Sequence, residues 1–177
     1  MLLIARTEPF VFSEDTILSL HRLFYCGIDA DEAGKHRSHQ VFITGTEYIP
    51  PTAGEVPVLM AELVAELNAK STKLHPVRLA ALAHRRLVDI HPFTDGNGRT
   101  ARLLMNLFLV NKGYQIVSIP PIQRTEYIGA LIMAQNSNGS DDEAFLRLIA
   151  ECEIEAQKDY CRMFRIEPPK KSKTRER

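Results

Sequence analysis

Within residues 91–102, HPFTDGNGRTAR, a histidine, a carboxylate, an asparagine flanked by glycines and two arginines stand together. Packing a core asks for none of that mixture. Asp95-Gly96-Asn97-Gly98 interrupts a helix, because Gly96 and Gly98 admit positive φ. A helix resumes at about Gly98, so the Gly-rich turn presents unpaired backbone N–H groups at a positive dipole end. Such a turn is a ready anion site. Arg99 and Arg102 are three apart and share a helix face. Two guanidiniums beside an amide nest suit a polyphosphate better than a single carboxylate.

Asp95 has a bland reading as an Asx turn or cap. Beside bound phosphates, however, a carboxylate serves as a ligand for Mg²⁺, which takes oxygen donors and shares phosphate oxygens. His91 closes an apolar helix and has two readings. It is either a core imidazole with one hydrogen bond, or a base whose neutral ring takes a hydroxyl proton near neutral pH. Base, carboxylate, amides and arginines in this order describe phosphoryl or nucleotidyl transfer from a Mg–nucleotide. The loop is not a Walker loop, since GxxxxGK[ST] occurs nowhere.

The elements that must carry this loop read as helices. Ser13 caps a first one with Glu14 and Asp15 in its opening turn, and Ile17, Leu20, His21 and Phe24 follow at helical spacing. Residues 55–68 repeat the pattern, with Pro57 admissible only in the first turn. Pro76 opens a third helix that ends at Ile90. A fourth runs from Gly98 to Asn111 and is apolar almost all round, which places it in the middle of a bundle. Asn111 and Gly113 stop it. Further helices fit 125–136 and 142–164. The exception is Gln40–Thr44, Gly45-Thr46 and Glu47–Ile49, which read as a short β-hairpin ended by Pro50-Pro51. A lone hairpin in a helical protein is a surface flap rather than a core element.

The chain has 177 residues, enough for one domain with a real core. Lys plus Arg and Asp plus Glu are 22 each, so overall charge points to no nucleic-acid or membrane partner. The tail 165–177 departs from that balance with six Lys or Arg against two Glu, and reads as disordered. It is either a solvated end or linker, or a phosphate-binding arm. Cys26, Cys152 and Cys161 form no CxxC and no even set, which argues against a disulfide framework. No apolar stretch is long enough to span a membrane and no signal-peptide pattern is present, so a cytoplasmic setting is expected.

HPFTDGNGR resembles the core motif of Fic-domain proteins, HPFx[D/E]GNGR, and Arg102 supplies the further arginine of its extended form. The resemblance continues outside the motif. Arg37-Ser-His-Gln-Val41 leading to Ile49-Pro-Pro is similar to the Fic flap region, and LHPVRLAALAHRRLVDIHPF to the helix before the motif. Roughly residues 10–160 are covered. The resemblance implies an all-α Fic bundle with one small β-hairpin flap, a single domain over 1–164, and transfer of AMP from ATP to a protein hydroxyl. In that picture His91 deprotonates a Ser, Thr or Tyr hydroxyl and Asp95 holds Mg²⁺. The amides of Gly96, Asn97 and Gly98, with Arg99 and Arg102, hold the phosphates, and Phe93 anchors the loop. The flap, Ile43, Thr44, Gly45, Thr46, Glu47, Tyr48 and Ile49, would align a target segment as an added strand. Tyr127 and Gln135 are adenine-side candidates. Relatives often carry Asn where this chain has Gln135, and Tyr127 reads equally as a core aromatic.

Many Fic proteins carry an inhibitory [S/T]xxxE[G/N] helix whose Glu pairs with the second motif arginine. No such pattern occurs here. An antitoxin-like partner could supply it, the sequence could begin after it, or it is absent. Fic proteins often self-associate, although no surface of this sequence demands a homo-oligomer. Four other readings compete. They are a Fic enzyme using another nucleotide or running the reverse de-AMPylation, a non-catalytic ATP-binding module, a DNA-binding helical module, and a metal phosphohydrolase built on His75, His84, His91 and Asp95. The last lacks an adjacent His-Asp pair and leaves Arg99 and Arg102 unexplained. Zero net charge and the lack of a basic helix face in the core region weigh against the DNA-binding module.

Overall fold

Caps and breakers set the helix boundaries. The structure, a computed structural model, describes residues 12–137 and 139–167, so most of the basic tail lies outside the described residues. Helix α1 spans Glu14–Tyr25, with the Ser13 N–H donating to Thr16 Oγ1 at 3.4 Å. Helix α2 spans Val56–Lys70 with Pro57 in its first turn, and α3 spans Pro76–Ile90 with Pro76 at its first position. There the missing proline N–H would have had no partner anyway. Helix α4 spans Asn97–Asn111 and ends at Lys112 and Gly113, the latter at φ 81°. After a 3-10 turn at Pro121–Gln123, α5 covers Arg124–Asn136 and α6 covers Glu143–Phe164. Arg165 closes α6 in the left-handed region.

Helix α3 is the hub: α4 lies along it most extensively, and α2 and α6 also pack on it. Helix α1 lies on α4, and α5 lies on α6. The apolar circumference of α4 is thereby used, with Leu104, Met105, Leu107 and Leu109 all fully buried. Burying such side chains contributes roughly 1.5–3 kcal/mol each. Among the described residues no helix is long and apolar enough to cross a membrane.

The expected β-hairpin is not a hairpin. Residues 40–49 contain a turn at 44–45 but no strand, and among the described residues every regular element is helical. A two-stranded ladder with no third strand or packed face gains too little to form. Side chains hold this strap instead. Gln40 Nε2 donates across it to Pro50 O at 2.9 Å, and Tyr48 Oη donates to Asp89 O at 3.0 Å on α3. Gly45, at φ 87°, makes the bend.

Candidate active site

Loop 91–96 is tied down from three directions. His91 terminates α3 in the left-handed conformation, φ 52° and ψ 57°, with its N–H still bonded to Leu87 O at 3.0 Å. That conformation is uncommon for a non-glycine residue. It turns the chain sharply into Pro92 and Phe93. Phe93 is fully buried and stacks on His21 of α1, ring centroids 3.9 Å apart and planes 3° apart. The Asn97 side chain then closes the loop on itself: Oδ1 accepts from the Phe93 N–H at 2.9 Å, and Nδ2 donates to Phe93 O at 2.8 Å.

His21 fixes the carbonyl side of the loop. Its Nδ1 accepts from the Gly34 N–H at 2.8 Å, so Nε2 carries the proton and donates to Asp95 O at 3.1 Å. Both bonds require a neutral ring, and burial pushes the His21 pKa down. Gly96 follows at φ 80°, where a Cβ would come within 3.0 Å of Phe24 Cζ and 3.2 Å of His21 Nε2. Glycine is therefore required on both counts. Gly96 caps α4, and the amides of Asn97, Gly98 and Arg99 open that helix with no acceptor inside it.

The reactive side chains are arranged around this frame. His91 Nδ1 lies 3.1 Å from Val88 O and donates to it, which leaves the Nε2 lone pair as the basic one. Burial holds the His91 pKa below the ordinary value, and the nearby Arg37 guanidinium pushes the same way. Asp95 is exposed and pairs with Arg99 at 3.1 Å; Arg99 also lies over the Phe24 ring, 4.8 Å from its centroid. Among the described residues no three His, Cys, Asp or Glu side chains group to hold a metal. His75, His84 and His91 are separated accordingly. His75 caps α3 and faces Tyr114 on the surface, while His84 is fully buried. A lone exposed carboxylate beside open amides fits a Mg²⁺ brought in with phosphates, not a resident protein-caged ion.

A cavity of about 280 Å³ adjoins the loop. His91, Gly98 and Arg102 line one side, Tyr127 and Gln135 of α5 another, and the strap at Ile43, Thr44, Gly45 and Thr46 covers it. This volume lies near the low end for small-molecule sites. Glu47 borders a neighbouring hollow with Ile132 and Asn136. Tyr48 and Ile49 line neither hollow, and the Tyr48 hydroxyl is committed to α3. Gly96, Asn97, Asp95 and Arg99 lie at the loop outside the cavity lining. Arg124 at the start of α5 also lines the cavity, a residue the sequence did not single out.

Comparison with known proteins decides the family. The Fic/DOC family matches residues 11–109, more than half of the chain. The chain belongs to the Fic/DOC family. It is 47% identical over 137 residues to the protein adenylyltransferase Fic of Drosophila mojavensis, covering 77% of this chain and 26% of that protein. The Fic chain thus spans about a quarter of the length of the curated relatives it matches. Among solved structures it resembles Fic-1 from C. elegans, with a TM-score of 0.79 and 33% identity over 93% of this chain and 48% of that one. It also resembles a Fic-domain signalling protein of Bacteroides thetaiotaomicron, with a TM-score of 0.83 and 28% identity over 96% of this chain and 70% of the other.

Two further residues beside the site have roles that sequence reasoning did not reach. Arg37, 2% exposed, donates through Nε to His91 O at 2.8 Å, through Nη1 to His39 O at 2.9 Å, and through Nη2 to Pro51 O. Its own N–H donates to Pro92 O at 2.9 Å. It therefore clamps both ends of the strap to the loop. The other is His84, whose pKa burial lowers to about 3, with the Arg102 charge pushing the same way. Unfolded, His84 takes up a proton near 6.5; folded, it stays neutral down to about 3. Only the unfolded chain binds that proton in this window. Stability is therefore complete above about pH 6.5 and falls as pH drops, by at most about 1.4 kcal/mol per pH unit for this group. The urea midpoint should decline through this range and decline less steeply in His84→Phe; identical slopes would contradict the assignment.

Proposed function

We propose that this Fic domain transfers AMP from ATP to a hydroxyl side chain of a target protein. The observation that carries the reading is one shared cavity. His91, with Nδ1 spent on Val88 and Nε2 left basic, lines it together with Gly98 of the amide turn and the Arg102 side chain. The names of the relatives point to the same reaction.

The target hydroxyl oxygen attacks the α-phosphorus of ATP. A new O–P bond forms, the bond from the α-phosphorus to the bridging oxygen breaks, and pyrophosphate leaves. His91 Nε2 accepts the hydroxyl proton. The amides at the start of α4 with Arg99 and Arg102 bind the phosphates and offset their charge. Mg²⁺, when bound with the nucleotide, would neutralise phosphate charge, and Asp95 is the carboxylate that would share it. The strap from Ile43 to Ile49 aligns the target segment by backbone hydrogen bonds, and Tyr127 and Gln135 face the nucleotide from α5. An inhibitory glutamate supplied by a partner would compete for Arg102.

The test is stoichiometric. Pyrophosphate release should equal AMP bound to protein, with the rate flat from neutral pH down to below the ordinary histidine pKa. It should fall only as pH drops through the lowered pKa of His91. Release of ADP with phosphate left on the protein would overturn the reading.

A further inference from the structure

The last turns of α6 overhang the bundle. Cys152 and Glu153 are the last buried residues of the helix, and from Ile154 to Phe164 every residue is exposed except the half-buried Ala156 and Cys161. Beside the overhang lies an open cleft of about 1020 Å³. Ala156, Tyr160 and Met163 line it from the helix, and Ile116 and Ile122 from the segment that joins α4 to α5. That segment is fastened to α6 where its burial stops: Glu153 Oε1 accepts the Gln115 N–H at 3.0 Å, and Cys152 Sγ donates to Gln123 Oε1 at 3.4 Å. Ile122 is 91% and Met163 70% exposed, and none of these residues lines the cavity beside His91. Apolar side chains gathered at an open cleft mark an interaction surface.

The charges of the overhang say what fits it. They run Glu155, Lys158, Asp159, Arg162. Within one copy Lys158 pairs with Glu155 and Arg162 with Asp159, and exposed pairs at this spacing contribute little. Read backwards, the series is the same with every sign reversed. An antiparallel second copy therefore sets Glu155 opposite Arg162 and Lys158 opposite Asp159. The same register sets Ile154 opposite Met163 and Tyr160 opposite Gln157. A parallel copy would set like charge on like. Such self-matching is what a two-fold interface requires, since there residue i meets j and j meets i.

We propose that two copies of this chain pair through this face, their α6 overhangs antiparallel and the tip of each, at Met163 and Phe164, covering the partner's Ile116 and Ile122. The register brings the tip there, because Ile154, opposite Met163, follows directly on the two residues that hold the joining segment. The exposed apolar side chains then leave water together, while Glu155, Lys158, Asp159 and Arg162 form one rim network across both copies. The surface is separate from the proposed reaction, and its test needs no nucleotide.

Light scattering behind a sizing column should give the wild-type chain twice its 20.0 kDa. The double variant Glu155→Lys/Asp159→Lys makes every charge of the overhang positive, and Lys158→Glu/Arg162→Glu makes every one negative. Each should weaken self-association at least about a hundredfold, since like charges then face each other. Mixed in equal amounts, the two variants should recover a heterodimer, because their series are now complementary at every position. Met163→Lys, at a 70% exposed position that folding does not need, should dissociate the dimer alone. A wild type that stays monomeric at the highest attainable concentration would overturn the proposal. So would a dimer that survives Met163→Lys, or charge variants that fail to associate when mixed. If the charge variants fray the helix, Met163→Lys decides alone.

Discussion

Replacing His91 by alanine should lower the rate of protein modification by about 10²- to 10⁴-fold, the range for removing a general base. ATP affinity should stay within about threefold, a difference well under one hydrogen bond. The two effects separate because of where the ring is attached. His91 Nδ1 reaches only Val88 O, and the imidazole supports neither the amide turn nor Arg102. The loop is held by backbone and by Phe93, Asn97 and His21, all of which the substitution leaves in place. Relaxing φ 52° at a non-glycine residue gives alanine no advantage, so the loop keeps its course. Single-turnover rates and calorimetric ATP titrations on the same preparations check both halves. A parallel loss of affinity and rate would mean that the imidazole binds nucleotide instead of taking a proton.

Arg37→Met should destabilise the fold by about 1–3 kcal/mol, because it removes a buried guanidinium shared by three part-buried carbonyls. The acceptors are the carbonyls of His91, His39 and Pro51. Arg37→Lys retains the charge and one of these contacts and should lose clearly less. A second consequence separates positioning from mere stability. The Arg37 charge opposes protonation of His91. Without it the His91 pKa rises, and the acid limb of the pH–rate profile moves to higher pH in Arg37→Met but not in Arg37→Lys. Urea midpoints together with those profiles check the account; a Met variant as stable as the wild type would contradict it.

Much of this was readable from residue types alone. Helices α1, α3 and α4 announced themselves through Ser13, Pro76 and the glycines at 96 and 98, where one residue settles a boundary. The 91–102 loop was legible because its chemistry is contiguous in sequence. The strap at 40–49 reads as a hairpin in sequence because alternating apolar residues around a glycine turn describe any extended segment. What replaces the ladder is side-chain bonding by Arg37, Gln40 and Tyr48, which no period reveals. His21 counted only as one more residue on a helical face, although its ring joins Gly34 to Asp95. Arg37 acts on His91, 54 positions later in the chain. His84 looked like one of several histidines for a metal, until burial showed a neutral ring under Tyr127. Long-range hydrogen bonds from ordinary-looking positions leave no local signal, and those were the parts missed.

The most direct test of nucleotidyl transfer is to compare ATP labelled at the α-phosphate with ATP labelled at the γ-phosphate, each incubated with Mg²⁺, this Fic domain and a protein lysate. The account predicts label on protein from the α-position only, and none from either position with His91→Ala. Label from the γ-position, or α-label that survives the loss of His91, would contradict it.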